Sequence, residues 1–336
     1  MPVIFFIRYF FFLSRNLTVV RCLNLCRLSM QFLFSRMRRR LVLSAMPFSI
    51  SVEPTNKCNL ACPECVTGSG RLKRKTGVLS FPAFSCLMDE VSSELIHLFL
   101  YFQGEPMLNP DFLKMVAYAK SKGVFVATST NGHFLTDRVC DGIVESGLDH
   151  IVISLDGVRS SSYSVYRRNG DFERVRAGIS RLVETRSVRR SARPLIELQF
   201  IVFRHNEDEV GEFKLLAKTL GVDKATIKTA QIYDVNDPRT ELLPPRDERY
   251  SRYVYDGTRY RPRRKGRGLC WRQWSAGVVT CDGSLAPCCF DKEAECSYGN
   301  VFDSGFSSCW FSVTANGLRS DLLYGRRPGI CKDCPE

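Results

Sequence analysis

Acidic residues are missing from the first 52 positions of this chain, where eight arginines stand. The formal net charge is +13, and residues 1–47 carry eight of those positive charges, which leaves +5 for the rest of the 336 residues. Charge this uneven marks a basic arm first and an anionic partner for the whole body only second. Also missing is any unbroken apolar run of the roughly 18 residues that a membrane-spanning helix needs. In "MPVIFFIRYFFFLSRNLTVVRCLNLCRLSMQFLFSRMRRR", Arg8, Arg15, Arg21 and Arg27 interrupt every window. No basic stretch precedes the apolar residues, so the layout of a secretory signal is excluded. At about 100° per residue the four arginines spread around a helix, and a single apolar stripe is not expected. Three readings of the arm stay open: an interfacial membrane anchor, helices packed on the main body, or an over-long start upstream of Met30 or Met37. Histidine is scarce, at four residues. His97, His133 and His205 read as structural and His150 begins a predicted strand, so no general base can be named and the catalytic residues are unknown.

Cysteine is abundant instead. Fifteen are present, an odd number, several in C-x-x-C spacings. Disulfide frameworks belong to small secreted domains, and in a chain of this size clustered cysteines point to metal binding. Thiolate ligands must stay reduced, so a cytoplasmic protein is expected, with membrane association only through the arm.

From residue 49 onward strands and helices alternate. Predicted strands are "SISVEPT" (49–55), "IHLFLYFQGE" (96–105), "VFVATSTNG" (124–132), "HIVISLDG" (150–157), "LIELQFIVF" (195–203) and "ATIKTAQIY" (225–233). Helical patterns fill about 81–95, 110–122, 136–146, 171–187 and 208–220. Such alternation predicts βαβ units and a parallel sheet, here an α/β fold with an open, partial (β/α)6 barrel. The polar motifs all fall at strand C-terminal ends, where barrel active sites form. Four segments are predicted: a basic apolar arm (1–47), the barrel (48–233), a basic linker (234–267) and a cysteine-rich tail (268–336). The linker's arginines and tyrosines suit either a solvated connector or nucleic-acid contact.

"CNLACPECVTG" (58–68) follows the first strand. Thiolates suit zinc and iron–sulfur clusters, and Cys58, Cys62 and Cys65 offer three ligands where a closed site needs four. The spacing C-x-x-x-C-x-x-C closely resembles the radical S-adenosylmethionine (SAM) superfamily. That resemblance implies a 4Fe–4S cluster whose fourth iron is left for SAM, and reductive cleavage of SAM to a 5′-deoxyadenosyl radical. An electron donor such as a flavodoxin or ferredoxin is implied with it. "QGEP" (103–106) is similar to the family's G-G-E-P motif, with Gln103 in place of its first glycine, and by this likeness Gly104 and Glu105 bind the methionine amino group. "STNGHFL" (129–135) carries over Asn131, also to SAM. "SLDG" (154–157) and "VYRRNGDFERV" (165–175) carry over Ser154 to the ribose or methionine portion and Arg167 to the SAM carboxylate, with Arg168 the neighbouring alternative. An arginine fork matches a carboxylate bidentately. Where the family often has an aromatic residue against adenine, this chain has Glu64, expected to accept a hydrogen bond from the adenine amino group.

The tail, with "VVTCDGSLAPCCFD" and "GICKDC", resembles the SPASM/twitch extension of that superfamily. The dense cysteine run of two-cluster tails is absent, so one auxiliary 4Fe–4S cluster is implied, held by Cys270, Cys288, Cys331 and Cys334. Cys289 is open as a substitute for Cys288, while Cys281, Cys296 and Cys309 read as small buried residues. A cluster closed by four cysteines suits electron transfer, so the resemblance implies dehydrogenation of a sugar, polyol or lipid-linked substrate with that cluster as electron acceptor. The alternative is a peptide-modifying maturase, which the short arm mildly disfavours. A zinc- and RNA-binding module stands further off, and nucleic acid is not an expected partner. Radical-based RNA modification would use Arg263 and Arg264 as a phosphate track.

Overall fold

A computed structural model describes residues 2–233, 235–238, 240–263, 269–331 and 334; Arg264 lies outside them. Two helices come first, α1 (Pro2–Ser14) and α2 (Val19–Arg38). The alternating body follows as β1 (Ser49–Val52), α3 (Phe81–Val91), β2 (His97–Phe99), α4 (Phe112–Ser121), β3 (Phe125–Thr130), α5 (Asp137–Glu145) and β4 (His150–Ser154). It continues through α6 (Ser160–Tyr166), α7 (Phe172–Val188), β5 (Leu195–Val202), α8 (Val210–Thr219) and β6 (Lys224–Thr229). Helix starts are set by side chains that accept from otherwise unpaired backbone N–H groups: Ser80 from Ala83, Thr136 from Val139 and Asp171 from Arg174.

β1 through β6 pair in parallel in chain order. Alternate side chains point to opposite faces of a strand. One face, with Ile50, Leu98, Val126, Ile151, Leu198 and Phe200, packs into the core beneath the helices. The other turns Phe99, Phe125, His150, Val152, Glu197 and Gln199 into the barrel.

The tail joins this sheet. After α9 (Arg272–Ser275), β9 (Ala276–Val279) pairs in parallel with β1, and β10 (Leu285–Ala286) pairs antiparallel with β9 through an Asp282-Gly283 turn, Gly283 having φ +91°. The sheet therefore has eight strands in the order β10-β9-β1-β2-β3-β4-β5-β6, where six were expected. Glu53, just past β1, receives two hydrogen bonds from Arg74 (2.8 and 2.9 Å) and a third from Cys281 N (3.0 Å). One buried carboxylate thus ties β1, the loop after the first cysteines and the tail hairpin together. Three short helices, α10 (Val301–Ser304), α11 (Phe306–Trp310) and α12 (Val313–Leu323), complete the tail.

The linker is more than a connector. It forms a small hairpin of β7 (Tyr253–Tyr255) and β8 (Tyr260–Pro262). Leu242 and Tyr253 are buried with Leu60, Cys62, Tyr166, Phe203 and Ile232, roofing the cysteine loop. Arg263 pairs with Glu248 at 2.9 Å and Arg261 with Asp256 at 2.5 Å, so both arginines have a carboxylate at short range.

Both helices of the arm pack on the body. α1 lies against the N-terminal ends of β3, β4 and β5, with Phe5 and Phe12 buried beside Phe125 and Leu195 and the Phe5 ring 5.5 Å from that of His150. α2 runs on to the tail, where Leu28 is fully buried beside Trp274. No single helix among the described residues is long and apolar enough to cross a membrane.

Candidate functional site

Eight of the barrel residues singled out in the sequence line one cavity of about 430 Å³ in the barrel: Cys58, Cys62, Cys65, Gly104, Glu105, Asn131, Ser154 and Arg167. The turn of the cysteine loop is closed by Cys65 N donating to Cys62 O (3.2 Å) and Ser69 N to Cys65 O (2.8 Å). Gly68 lets the loop fold back on itself, since a Cβ there would stand 2.6 Å from Cys62 N. Burial pushes the Cys58 thiol up and that of Cys62 up to about 11, with the Arg167 guanidinium pulling the other way. Such thiols give up their protons to a soft metal rather than to water. No three His, Cys, Asp or Glu side chains among the described residues converge on one ion. A polynuclear cluster does not need that convergence, because each cysteine takes a different iron.

Gly104 has φ +74°, and a Cβ there would sit 2.5 Å from the carbonyl oxygens of both Thr55 and Lys57. Only glycine lets this backbone lie so close to the start of the cysteine loop. Gly104→Ala is expected to displace the cysteine loop and lower cluster occupancy several-fold, read as iron bound per chain after anaerobic reconstitution. Glu105 is buried, its carboxylate accepting from Met107 N (3.2 Å), Thr130 Oγ1 (2.8 Å) and Asn131 N (2.8 Å). Burial still dominates and pushes its carboxyl up to about 7.

Asn131 does more than line the cavity. Its side-chain amide donates to Asn59 Oδ1 at 2.8 Å, so it holds the cysteine loop in place. His133 supports it, with Nδ1 3.0 Å from Asn131 Oδ1 and Nε2 accepting from Asp171 N, the structural part expected of it. Ser154 lines the same cavity at the end of β4.

The two neighbouring arginines separate cleanly. Arg168 is half exposed and pairs with Glu241. Arg167 is mostly shielded and packs against the buried Asp156, with Nε donating to Oδ2 at 2.6 Å, and Nη1 lies 3.9 Å from Cys62 Sγ. Burial works against the Arg167 charge, and Asp156, Cys62, Tyr166 and Tyr163 together more than offset it.

Glu64 lies outside this cavity's lining. Its carboxylate accepts from Tyr233 N at 2.7 Å and stands 3.7 Å from Arg71, whose guanidinium stacks on the Tyr233 ring at 4.8 Å. It braces the cysteine loop against the segment after β6. Glu64→Ala is expected to cost about 1–3 kcal/mol, the desolvation of the donors it leaves behind, measured by urea denaturation.

The cavity floor was not foreseen. His150, Glu197, Gln199 and Lys228 line it, with His150 Nε2 3.1 Å from Glu197 Oε2 and Lys224 Nζ donating to the same oxygen at 3.3 Å. Burial alone would raise the Glu197 carboxyl, but His150, Thr226 and Lys224 together hold it down at about 2. A signal was available: polar residues at every second position of otherwise apolar strands point into a barrel.

In the tail, Cys270, Cys331 and Cys334 line a second cavity of about 430 Å³ together with Arg36, Arg39 and Arg327. Burial raises the Cys331 thiol to about 11, helped by the neighbouring thiols of Cys334, Cys270 and Cys296. Cys296 therefore belongs to this neighbourhood. Cys288 is pushed up to about 12 by burial, with Cys289 and Cys270 adding to it. Cys289 is exposed and receives Arg272 Nη1 at 3.7 Å. Cys281 and Cys309 sit in the hydrophobic core.

Comparison with known proteins agrees with this layout. Residues 52–214 match the Radical SAM superfamily, and residues 270–335 match SPASM, an iron–sulfur cluster-binding domain. The PqqA peptide cyclase of Gluconobacter oxydans is 30% identical over 210 residues, 62% of this chain and 56% of that one, so this chain spans little more than half of that relative's length. The mycofactocin maturase MftC of Mycobacterium tuberculosis is 26% identical over 306 residues, 86% of this chain and 75% of that one. Among solved structures, SuiB of Streptococcus suis bound to S-adenosylmethionine superposes with a TM-score of 0.64 at 12% identity, covering 85% of this chain and 77% of that one. SuiB has also been solved bound to precursor peptide SuiA.

Proposed function

The chain belongs to the radical SAM superfamily and carries a C-terminal SPASM domain, and on that premise we propose that it is a peptide-modifying maturase. The observation that carries this reading is that the relatives it matches include peptide cyclases and a maturase. Bound SAM and its 4Fe–4S cluster supply the one-electron chemistry. The chain's own residues bind and orient. Cys58, Cys62 and Cys65 hold the cluster, and Asn131 and Glu64 fix the loop that presents them. Gly104 and Glu105 take the amino group of SAM, Arg167 its carboxylate, and Ser154 the ribose or methionine portion. Tyr166 and the linker residues Leu242 and Tyr253 close the loop's outer side against water. The protein is reduced by a one-electron donor such as a flavodoxin or ferredoxin.

In this reading Cys270, Cys288, Cys331 and Cys334 would hold one auxiliary 4Fe–4S cluster, which would supply a one-electron acceptor. Cys288→Ala is expected to lower the iron content of the anaerobically purified chain from about eight to about four. Cys289→Ala is expected to leave it unchanged, and the reverse pattern would exchange their roles.

The competing reading, dehydrogenation of a sugar, polyol or lipid-linked substrate, has the polar floor of His150, Glu197, Gln199 and Lys228 in its favour. Deuterated candidates of both classes distinguish them. Deuterium appearing in 5′-deoxyadenosine from a peptide supports the maturase; deuterium only from a polyol or sugar sinks it.

A further inference from the structure

Two of the arm's eight arginines turn inward, so they do not interrupt its outer face. Arg21 is 3% exposed. Its guanidinium donates to the carbonyls of Ser92 (2.7 Å), Lys122 (3.0 Å) and Gly123, at the C-terminal ends of α3 and α4. Helix C-termini present unpaired carbonyls and a negative dipole end, so they suit a buried cation. Arg8 reaches Asp223 Oδ1 at 2.5 Å and the Ala192 carbonyl at 2.7 Å. The expectation that arginines would break up any apolar stripe assumed that all of them face water.

With those two withdrawn, an apolar stripe remains outside on each helix, flanked by the other arginines. On α1, Ile4, Ile7 and Phe10 are 63–64% exposed, and Phe11 lies beside them. On α2, Val19, Leu23, Met30, Leu33 and Met37 are all more than half exposed. Their spacing follows the helical period, opposite the buried Arg21, Asn24, Leu28 and Ser35. Both helices thus carry their apolar stripe on the side away from the protein, an arrangement that water does not favour.

We propose that α1 and α2 form a platform that seats this protein in the plane of an anionic lipid surface. Charge selects the occupant. Exposed Arg15, Arg27, Arg38 and Arg40 rim the stripes, and no acid occurs before Glu53. A second copy laid on the same face would set arginine against arginine with no carboxylate in the arm to compensate. An anionic headgroup layer accepts both the apolar side chains and the basic rim. Length and anchoring make the contact in-plane. At 13 residues α1 is about 20 Å long, short of the roughly 30 Å hydrocarbon core. α2 turns by 108° from α1 and is held to the body by Arg21 and by Asn24, which donates to Met46 O at 2.9 Å.

Flotation of the intact chain with vesicles tests this. The chain is expected to float with mixed phosphatidylglycerol–phosphatidylcholine vesicles and poorly with phosphatidylcholine alone, with salt reducing the binding. Phe10→Glu/Leu23→Glu/Leu33→Glu, at exposed positions, should weaken flotation at least about tenfold while leaving the melting temperature and SAM cleavage unchanged. A second variant, Arg15→Gln/Arg38→Gln/Arg40→Gln, keeps the apolar face and should lose only the preference for the anionic vesicles. The proposal is overturned if no vesicle is bound, if both lipids are bound equally, if the glutamate variant floats like the parent, or if light scattering shows a dimer that this variant splits.

Discussion

Asp156→Asn is expected to destabilise the fold by about 3–5 kcal/mol, because it leaves a buried guanidinium without its counter-ion. Asp156 is completely buried and the side chain of Arg167 is only 12% exposed, so water cannot replace the lost charge. The second Asp156 oxygen accepts from Ile201 N at 2.6 Å, and Asn206 Nδ2 donates to its backbone carbonyl at 3.1 Å. Asparagine can keep the Ile201 bond but not the charge. The loss is read as a shift in the urea midpoint. SAM affinity of the reconstituted chain should fall with it, since Arg167 would no longer be held beside Cys62. Arg168→Gln is the contrast: it removes an exposed pair with Glu241 and should change stability by less than about 1 kcal/mol. Equal effects of Asp156→Asn and Arg168→Gln would contradict the assignment of Arg167 to the site.

The second large effect is a pH dependence set by Glu105. In the folded chain its carboxyl is pushed from 4.5 to about 7 by burial. Between these values the folded form keeps a proton that the unfolded chain has lost. Stability therefore falls as pH rises through that window, and the deficit is complete above about 7. Glu105→Gln should remove this slope. A ligand ammonium group reverses the preference, because it favours the ionised carboxylate. SAM affinity of the cluster-loaded chain is accordingly expected to fall by about tenfold per pH unit below 7 and to level off above it. In Glu105→Gln the affinity should be weak and nearly flat with pH. Calorimetric titration from pH 6 to 8 reads both curves, and a parent profile without slope would remove Glu105 from the amino-group role.

The barrel was legible because its strands are short apolar runs and its helices carry capping residues in the expected places. Cys58 and Glu105 were legible because each belongs to a local motif just after a strand, and Arg167 because its motif follows β4, at the end of α6. Other features depend on contacts between distant segments. Nothing in "AGVV" says that it will lie beside β1 rather than form its own sheet. Nothing around Tyr253 says that its hydroxyl will donate to Ile232 O at 3.0 Å and help roof the cysteine loop. Arg21 misled for a related reason: its partners are carbonyls about 70 and 100 residues away. Glu197 and Gln199 were readable in principle, as polar side chains at alternate positions of a buried strand.

The parallel pairing of β9 with β1 means that the two matched regions do not have a clean seam. Cutting the chain before Cys270 would strip a neighbour from β1 and expose a raw sheet edge, a template for aggregation. It would also leave the Glu53–Arg74 pair without the Cys281 amide that helps to hold it. The barrel and the tail should therefore melt together in one transition. Damage at the auxiliary cysteines would then be transmitted mechanically, along a single strand, to the loop that holds Cys58, Cys62 and Cys65.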